Sequence, residues 1–280
     1  MNKNPVGVFD SGLGGLSTVR AIKKLLPNED IIYFGDTGRV PYGTRSNETI
    51  ESYTAQDIKF LRSFDCKMIA VACGTVSTVS RELIKGLPLP STGILTPSAK
   101  AAALATKNGK IGIMGTSATI NSGAFDKEIK SYNEKAEITS VACPLLVSLV
   151  ESNWCGVDDD VTNPAVKRYL KPILENGCDT VILGCTHFPH LIPIIRNIAG
   201  EGVTLIDSGL EEAKYIKQYL DENDMRNAPD HKGEAKYFVS DRPQNFSSAA
   251  ATLLGESIDN ECSFIDIFKY IQEDLWTGKQ

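Results

Sequence analysis

The sequence predicts an α/β fold of two pseudo-symmetric domains, each a mostly parallel sheet flanked by helices, with the active site in the cleft between them. Three observations lead to this prediction. Short runs rich in Val and Ile alternate with helix-like stretches, which is typical of parallel sheets. Each run ends in small or polar residues. The order of the runs also repeats at a nearly constant offset, which indicates an internal duplication.

The first series contains four strand-like runs, at residues 6–9, 31–35, 68–72 and 93–95. Helix-like stretches follow at residues 17–26 and 46–63, after residue 75, and in an Ala-rich segment after residue 98. The turns between strand and helix contain Asp10-Ser11-Gly12, Pro41-Tyr42-Gly43, Cys73-Gly74-Thr75 and Thr96-Pro97-Ser98.

The second series has the same order, with runs at residues 111–114, 138–141, 181–184 and 203–206 and a helix that ends near Glu151. Matching positions are 105, 107, 112 and 111 residues apart, for Gly7 and Gly112, Ile31 and Ile138, Cys73 and Cys185, and Gly93 and Thr204. Regular spacing by chance is the alternative. Four matches in order favour duplication.

The last 70 or so residues break this pattern. They suggest helices at 211–220, 245–254 and 263–275, a polar loop at 221–233 and an edge strand at 237–240. We expect this tail to pack on the first half of the chain. The predicted domains are therefore residues 1–96 with 208–280, and residues 97–207.

Composition excludes several classes of protein. The chain has 280 residues, 42% of them hydrophobic and 23% charged, which is typical of a globular protein. A net charge of −6 argues against nucleic acid as a partner. No apolar run is long enough to cross a membrane and no signal peptide precedes the first strand, so we expect a cytoplasmic protein. Seven cysteines without a Cys-x-x-Cys pair, and only three histidines, predict reduced thiols and no metal site.

Cys73 and Cys185 occupy equivalent positions at the ends of matching strands. Ligands of open parallel sheets bind beyond the carboxyl ends of the strands, so we expect the two thiols on opposite walls of one cleft. Two acid–base groups of one type, on opposite faces of a carbon, can invert a stereocentre in both directions. We expect a helix N-terminus to lower the pKa of each thiol, with Thr75 and Thr186 as capping residues.

The other motifs have simpler interpretations. Cys66, Cys178 and Cys262 suit buried apolar positions, Cys155 a loop, and Cys143 is ambiguous. The glycines at 12, 14 and 15 do not form a dinucleotide-binding fingerprint, because Ser17 breaks the required spacing. Asp10-Ser11-Gly12 could be a helix cap, Pro41-Tyr42-Gly43 a plain turn, and His187 and Glu151 structural groups. His190 and His231 suit structural or surface positions.

Five segments together resemble the glutamate racemase family. They are GVFDSGLGGLSTVR at Asp10, YFGDTGRVPYGTRS at Tyr42, ACGTVS at Cys73, PLLVSLVE ending at Glu151, and LGCTHFPHL at Cys185. The resemblance covers about the first 210 residues in order. It implies interconversion of L- and D-glutamate without a cofactor, and a supply of D-glutamate for peptidoglycan. Homodimers are common in the family, so a homodimer is an open expectation.

The resemblance also implies roles for individual residues. Cys73 takes the α-proton from D-glutamate and Cys185 takes it from L-glutamate, while Asp10, Glu151 and His187 assist. The implied substrate contacts are Asp10, Ser11, Tyr42, Gly43, Gly74, Thr75, Thr186 and His187. One position departs from the family, which usually has Asn where this chain has Gly74. We expect Gly74→Asn to be tolerated and to restore a side-chain contact with the substrate.

Two other functions remain alternatives at this point. A racemase for aspartate, or for another acidic or cyclic amino-acid derivative, would use the same pair of thiols. A non-catalytic protein that keeps the fold as a regulator, for instance of a DNA-handling enzyme, is the second. The presence of both Cys73 and Cys185 argues against the regulator, because a binding protein does not need two opposed thiols.

Overall fold

The structure is a computed structural model that describes residues 2–258 and 261–270. Ten strands lie in this part of the chain: β1 (Val6–Asp10), β2 (Ile31–Gly35), β3 (Met68–Val71), β4 (Ser91–Gly93), β5 (Lys110–Gly115), β6 (Glu137–Ala142), β7 (Thr180–Leu183), β8 (Thr204–Asp207), β9 (Ala235–Val239) and β10 (Cys262–Phe264). They form two parallel sheets, as the Val- and Ile-rich runs predict.

Helices follow most of the strands. The same described residues contain α1 (Leu16–Leu25), α2 (Asn47–Arg62), α3 (Gly74–Val79), α4 (Arg81–Lys85), α5 (Leu95–Ala105), α6 (Ser117–Asn121), α7 (Ala124–Tyr132), α8 (Pro144–Glu151), α9 (Thr162–Glu175), α10 (Ile192–Ala199), α11 (Ser208–Glu222) and α12 (Pro243–Leu254). Short 3₁₀ helices lie at Tyr42–Thr44, Phe188–Leu191 and Ile267–Lys269. Side chains cap some of these helices; Asp207, for example, accepts hydrogen bonds from the backbone N–H groups of Gly209 and Leu210 at the start of α11.

The two sheets have matching strand orders. The first sheet runs β10-β9-β2-β1-β3-β4 and the second β6-β5-β7-β8. Within the first sheet, β2-β1-β3-β4 therefore corresponds strand for strand to the whole of the second sheet. This arrangement confirms the predicted fold class of two similar parallel sheets flanked by helices.

The strand register reproduces the sequence offsets. Val6 pairs with Ile31 on one side and with Met68 on the other. Ile111 pairs with Ile138 and Thr180 in the same way. The corresponding residues are 105 positions apart for Val6 and Ile111, 107 for Ile31 and Ile138, and 112 for Met68 and Thr180. These are the offsets found in the sequence comparison. The pairing thus places Cys73 and Cys185 just beyond equivalent strand ends, in different sheets.

Three local predictions were wrong. Residues 96–98 lie in the first turn of α5, because β4 already ends at Gly93. The predicted edge strand at 237–240 is β9, which pairs with β2 on one side and β10 on the other. Of the helix predicted at 263–275, the described part is β10 and a 3₁₀ turn instead, and residues 271–275 lie outside the described residues.

The tail packs on the first sheet, as predicted. Side chains of β1 and β3 that face α1, such as Val8 and Met68, share one buried cluster with Leu220 of α11 and Phe246 of α12. The opposite face packs against α2, through residues such as Phe34 and Ile58. The division at residues 96/97 and 207/208 stays our proposal, and the assignment of the strands to the two sheets supports it. Within the described residues, no helix combines the length and apolar character needed to cross a membrane.

Candidate active site

One cavity of about 310 Å³ lies where the carboxyl ends of the two sheets meet. Both predicted cysteines line it, one from each sheet. The predicted residues that line it are Ser11, Tyr42, Gly43, Cys73, Gly74, Thr75, Glu151, Cys185, Thr186 and His187. The fold therefore brings together residues that are up to 176 positions apart, such as Ser11 and His187.

Cys73 follows β3 and is the N-terminal cap residue of α3. Its side chain is almost fully buried, and its Sγ lies 3.6 Å from Ser11 Oγ. Burial, reinforced by the nearby Asp10 carboxylate, raises the pKa of Cys73 to about 12. The expectation of a lowered pKa at this thiol was therefore wrong, because loss of solvation outweighs the short helix. Cys73 is a protonated thiol at neutral pH.

Cys185 has a different neighbour. Its Sγ lies 3.6 Å from Nδ1 of His187, and Nε2 of His187 lies 3.2 Å from Oε1 of Glu151. Burial alone would lower the pKa of His187, but the hydrogen bonds to Cys185 and Glu151 raise it to about 10. The imidazole is therefore cationic at neutral pH.

Asp10 lies behind the wall of the cavity rather than on it. Its carboxylate accepts hydrogen bonds from the Gly12 backbone N–H at 2.9 Å and from Thr186 Oγ1 at 3.2 Å. The second bond joins the first sheet to the loop that carries Cys185. Ser17 adds another such link, because its hydroxyl donates to the Thr186 carbonyl at 3.2 Å.

Thr75 and Thr186 do not cap helices as expected. The cap residue of α1 is Gly15, so Asp10-Ser11-Gly12 is not a helix cap. Thr75 pairs its hydroxyl with that of Thr116 at 3.0 Å, and Thr186 bonds Asp10. These side chains are therefore used in contacts between the two sheets.

A buried charge cluster supports the loop that carries Tyr42 and Gly43. The Tyr42 hydroxyl donates to Asp36 and, at 3.0 Å, to Asp57. Arg39 binds Asp36 at 2.6 Å and Asp57 at 2.8 Å. Burial and the neighbouring Asp36 raise the pKa of Asp57, and Arg39 opposes that shift. Because the Tyr42 hydroxyl is engaged here, the loop offers the cavity its ring and backbone.

Thr116 is the main lining residue that sequence reasoning missed. It follows β5 and lines the cavity with Ser117 from the second sheet. The duplication contains the signal for it, because the offset of 105 residues relates Ser11 to Thr116. Other unpredicted lining residues come from the 40–44 loop and from α8: Val40, Pro41, Thr44, Pro144, Val147 and Ser148.

The remaining cysteines and histidines lie outside this lining. Cys66, Cys143 and Cys178 are buried, and Cys155 and Cys262 are half-buried. Burial and then Arg20 lower the pKa of His190 to about 4, and His231 bonds Asp30 at 2.8 Å. No group of three or more His, Cys, Asp or Glu side chains in residues 2–258 and 261–270 is arranged to hold a metal ion.

The histidine environments predict separate titrations. In ¹⁵N-histidine NMR spectra we expect His187 to titrate near pH 10 and His190 near pH 4. Glu151→Gln should lower the His187 midpoint, because it replaces the charged acceptor that favours the imidazolium by a neutral one. Glu175→Gln, at an exposed helix end, is the control and should leave it unchanged. A wild-type midpoint near the ordinary 6.5 would contradict this assignment.

Comparison with known proteins places this arrangement in a family. The family model for Asp/Glu/hydantoin racemases matches residues 7–215. A glutamate racemase from Neisseria meningitidis is 41% identical over 259 residues, which cover 92% of this chain and 95% of that protein. One from Geobacter metallireducens is also 41% identical, over 89% of this chain and 92% of that protein.

Solved structures agree with the sequence comparison. The glutamate racemase isoform RacE1 from Bacillus anthracis has a TM-score of 0.90 and 34% identity, covering 95% of this chain and 98% of that one. The Francisella tularensis glutamate racemase, solved in complex with D-glutamate, has a TM-score of 0.88 and 33% identity, covering 96% of this chain and all of that one. The chain belongs to the Asp/Glu/hydantoin racemase family.

Proposed function

We propose that this chain is a glutamate racemase that interconverts L- and D-glutamate with two cysteines and no cofactor. One observation carries the proposal: two buried thiols, contributed by equivalent strand ends of different sheets, line the same cavity. The relatives named glutamate racemase, and the relative solved with D-glutamate, support glutamate as the substrate.

The proposed reaction removes the α-proton from one face of the substrate and adds a proton to the opposite face. Starting from L-glutamate, the Cys185 thiolate removes the α-proton, and the electron pair of the C–H bond stays on the substrate as a carbanion. The Cys73 thiol then donates its proton to the opposite face, which yields D-glutamate. Cys185 is left as a thiol and Cys73 as a thiolate. Starting from D-glutamate, the same steps run in reverse.

The two thiols have different surroundings. Burial and Asp10 raise the pKa of Cys73 to about 12, so this thiol is protonated at neutral pH, while Cys185 lies next to the cationic His187. After turnover the two thiols must exchange protonation states, and Asp10 and the His187–Glu151 pair are the adjacent groups that can share the proton.

The cavity lining suits a charged amino acid. Among residues 2–258 and 261–270, no Lys or Arg lines the cavity, so carboxylates would be bound by hydroxyls, backbone N–H groups and the His187 imidazolium. The Ser and Thr hydroxyls of the lining come from Ser11, Thr44, Thr75, Thr116, Ser117, Ser148 and Thr186. Asp10 and Gly74 complete the proposed set of substrate-binding residues. Asp10 contributes by holding Thr186 in place, and Gly74 contributes its backbone.

In the cell, the family resemblance implies that the product D-glutamate is used for peptidoglycan. A cytoplasmic location and a homodimer stay predictions from the sequence.

Circular-dichroism polarimetry tests the proposal. Purified, fully reduced protein is incubated with D-glutamate, and separately with D-aspartate, with no cofactor added. We expect the optical signal to fall to zero with D-glutamate only, because the two enantiomers have equal free energy in water. Loss of signal with D-aspartate instead would keep the two-thiol chemistry and change the substrate. No change with either substrate, from folded protein, would favour the non-catalytic alternative.

A further inference from the structure

Gly74 and Gly184 touch through their backbones between the two catalytic cysteines. Gly74 directly follows Cys73, and Gly184 directly precedes Cys185. A Cβ atom added to Gly74 would lie 2.2 Å from the Gly184 carbonyl oxygen and 3.2 Å from its carbonyl carbon. It would also lie 3.3 Å from Cδ1 of Ile94. Real Cβ atoms essentially never come within 3.0 Å of another heavy atom, so a side chain at position 74 requires the backbone at this contact to shift.

Neither side of the contact is free to move alone. The Gly184 N–H donates to the Met114 carbonyl at 2.8 Å, and the preceding Leu183 carbonyl accepts from Ser208 at 2.7 Å. On the other side, the Gly74 carbonyl accepts from the Thr78 hydroxyl at 2.9 Å. Each glycine is therefore anchored within its own part of the structure. A side chain at position 74 would have to move the two cysteine-bearing loops apart.

Other close glycine contacts across the cleft differ in kind. A Cβ on Gly14 would lie 2.3 Å from Thr186 Oγ1, and a Cβ on Gly43 would lie 2.9 Å from Thr116 Cβ. The Gly14 contact is with a hydroxyl oxygen, which can turn to a new rotamer, whereas the Gly43 contact is with a Cβ atom but is only just inside 3.0 Å. The contact of Gly74 with Gly184 is with the backbone itself, so it cannot be relieved in that way.

We propose that Gly74 is a positioning residue that sets the separation of Cys73 and Cys185 through its contact with Gly184. This inference rests on the proposed racemase function. It replaces the sequence-based expectation that Gly74→Asn is tolerated, because an asparagine carries the same Cβ. In this chain the two loops are in backbone contact at this position. Proton transfer needs the reacting atoms close together, so a wider gap slows the chemistry at both thiols.

Racemisation kinetics of Gly74→Ala and Gly74→Asn test the proposal. We expect kcat to fall by about 10-fold or more in both directions, since a misplacement of about 1 Å can cost up to 100-fold. The isotope effect on kcat with α-deuterated glutamate should rise, because proton transfer becomes rate-limiting. A simple loss of folded protein would lower the rate without changing the isotope effect. Gly156→Ala is the matched control, because nothing lies within 4 Å of its added methyl group.

Crystal structures supply a readout that does not depend on activity. In Gly74→Ala we expect a longer distance between Cys73 Sγ and Cys185 Sγ than in the wild type. An unchanged distance, or kcat and isotope effect within twofold of the wild type, would overturn the proposal. If the variant does not fold, the wild-type crystal structure decides: more than 3.4 Å between an ideal Cβ on Gly74 and the Gly184 oxygen refutes the contact. A wild type without racemase activity would refute the proposed function. The distance between the two Sγ atoms and the distance from an ideal Cβ on Gly74 to the Gly184 oxygen would still test the contact.

Discussion

Replacing either Cys73 or Cys185 by serine is expected to lower kcat for glutamate racemisation by about 10³-fold, within the range typical of a lost acid–base group. Each thiol serves one face of the substrate, so neither can substitute for the other. The measurement is the initial rate by polarimetry from each enantiomer. Cys155→Ser is the control, because that half-buried thiol does not line the cavity, and it should keep wild-type activity.

Proton exchange with solvent then assigns each thiol to its face. In D₂O, Cys185→Ser retains Cys73, so it should still exchange the α-proton of D-glutamate without inverting it. Cys73→Ser should do the same with L-glutamate. NMR of the recovered substrate measures the exchange. Racemisation within tenfold of wild type in either variant, or exchange of the opposite enantiomer, would disprove the assignment.

Arg39→Met is expected to reduce the free energy of unfolding by about 3–5 kcal/mol, the typical effect of removing one member of a buried ion pair. Arg39 is the cation that binds both buried carboxyl groups, Asp36 and Asp57. Its guanidinium also lies 4.1 Å from the centre of the Tyr53 ring. Without it, the two buried carboxyl groups lose the cation that pairs with both of them.

Urea denaturation measures this loss. Lys85→Met is the matched control, because the Lys85–Glu82 pair is exposed and should contribute less than about 1 kcal/mol. Since the cluster supports Tyr42 and Gly43, the folded Arg39→Met protein should also show a raised KM for glutamate. A loss below about 1 kcal/mol would mean that the cluster does not stabilise the loop in the way described.

The strand pattern could be predicted from local sequence for a physical reason. Both faces of these sheets are covered, so the strands need nearly continuous runs of apolar and small residues, and β1 and β5 stand out for that reason. The duplication could be predicted too. The sequence offset between the two halves also relates the residues that pair in β1 and β2 to those that pair in β5 and β6. The tail was harder to predict, because β10 is only three residues long and so short a segment gives no reliable pattern.

The sequence predicted which residues line the candidate site better than it predicted how those residues interact. The residue types and motifs around Cys73 and Cys185 identify the cavity lining, apart from residues such as Thr116. The partners of those residues could not be predicted, because they lie far away in the chain. Thr186 bonds Asp10 across 176 positions, where local reasoning predicts a helix cap.

The amino-acid pattern alone thus determines two similar parallel sheets with a cysteine at the end of an equivalent strand in each. Those features depend on side-chain periodicity and residue type, which are local properties. The protonation of Cys73, the cationic His187 and the backbone contact at Gly74 are decided only when the sheets pack together. Burial and Coulomb interactions depend on distances in space, and chain position does not reveal how close Asp10, Glu151 or Gly184 comes to its partner.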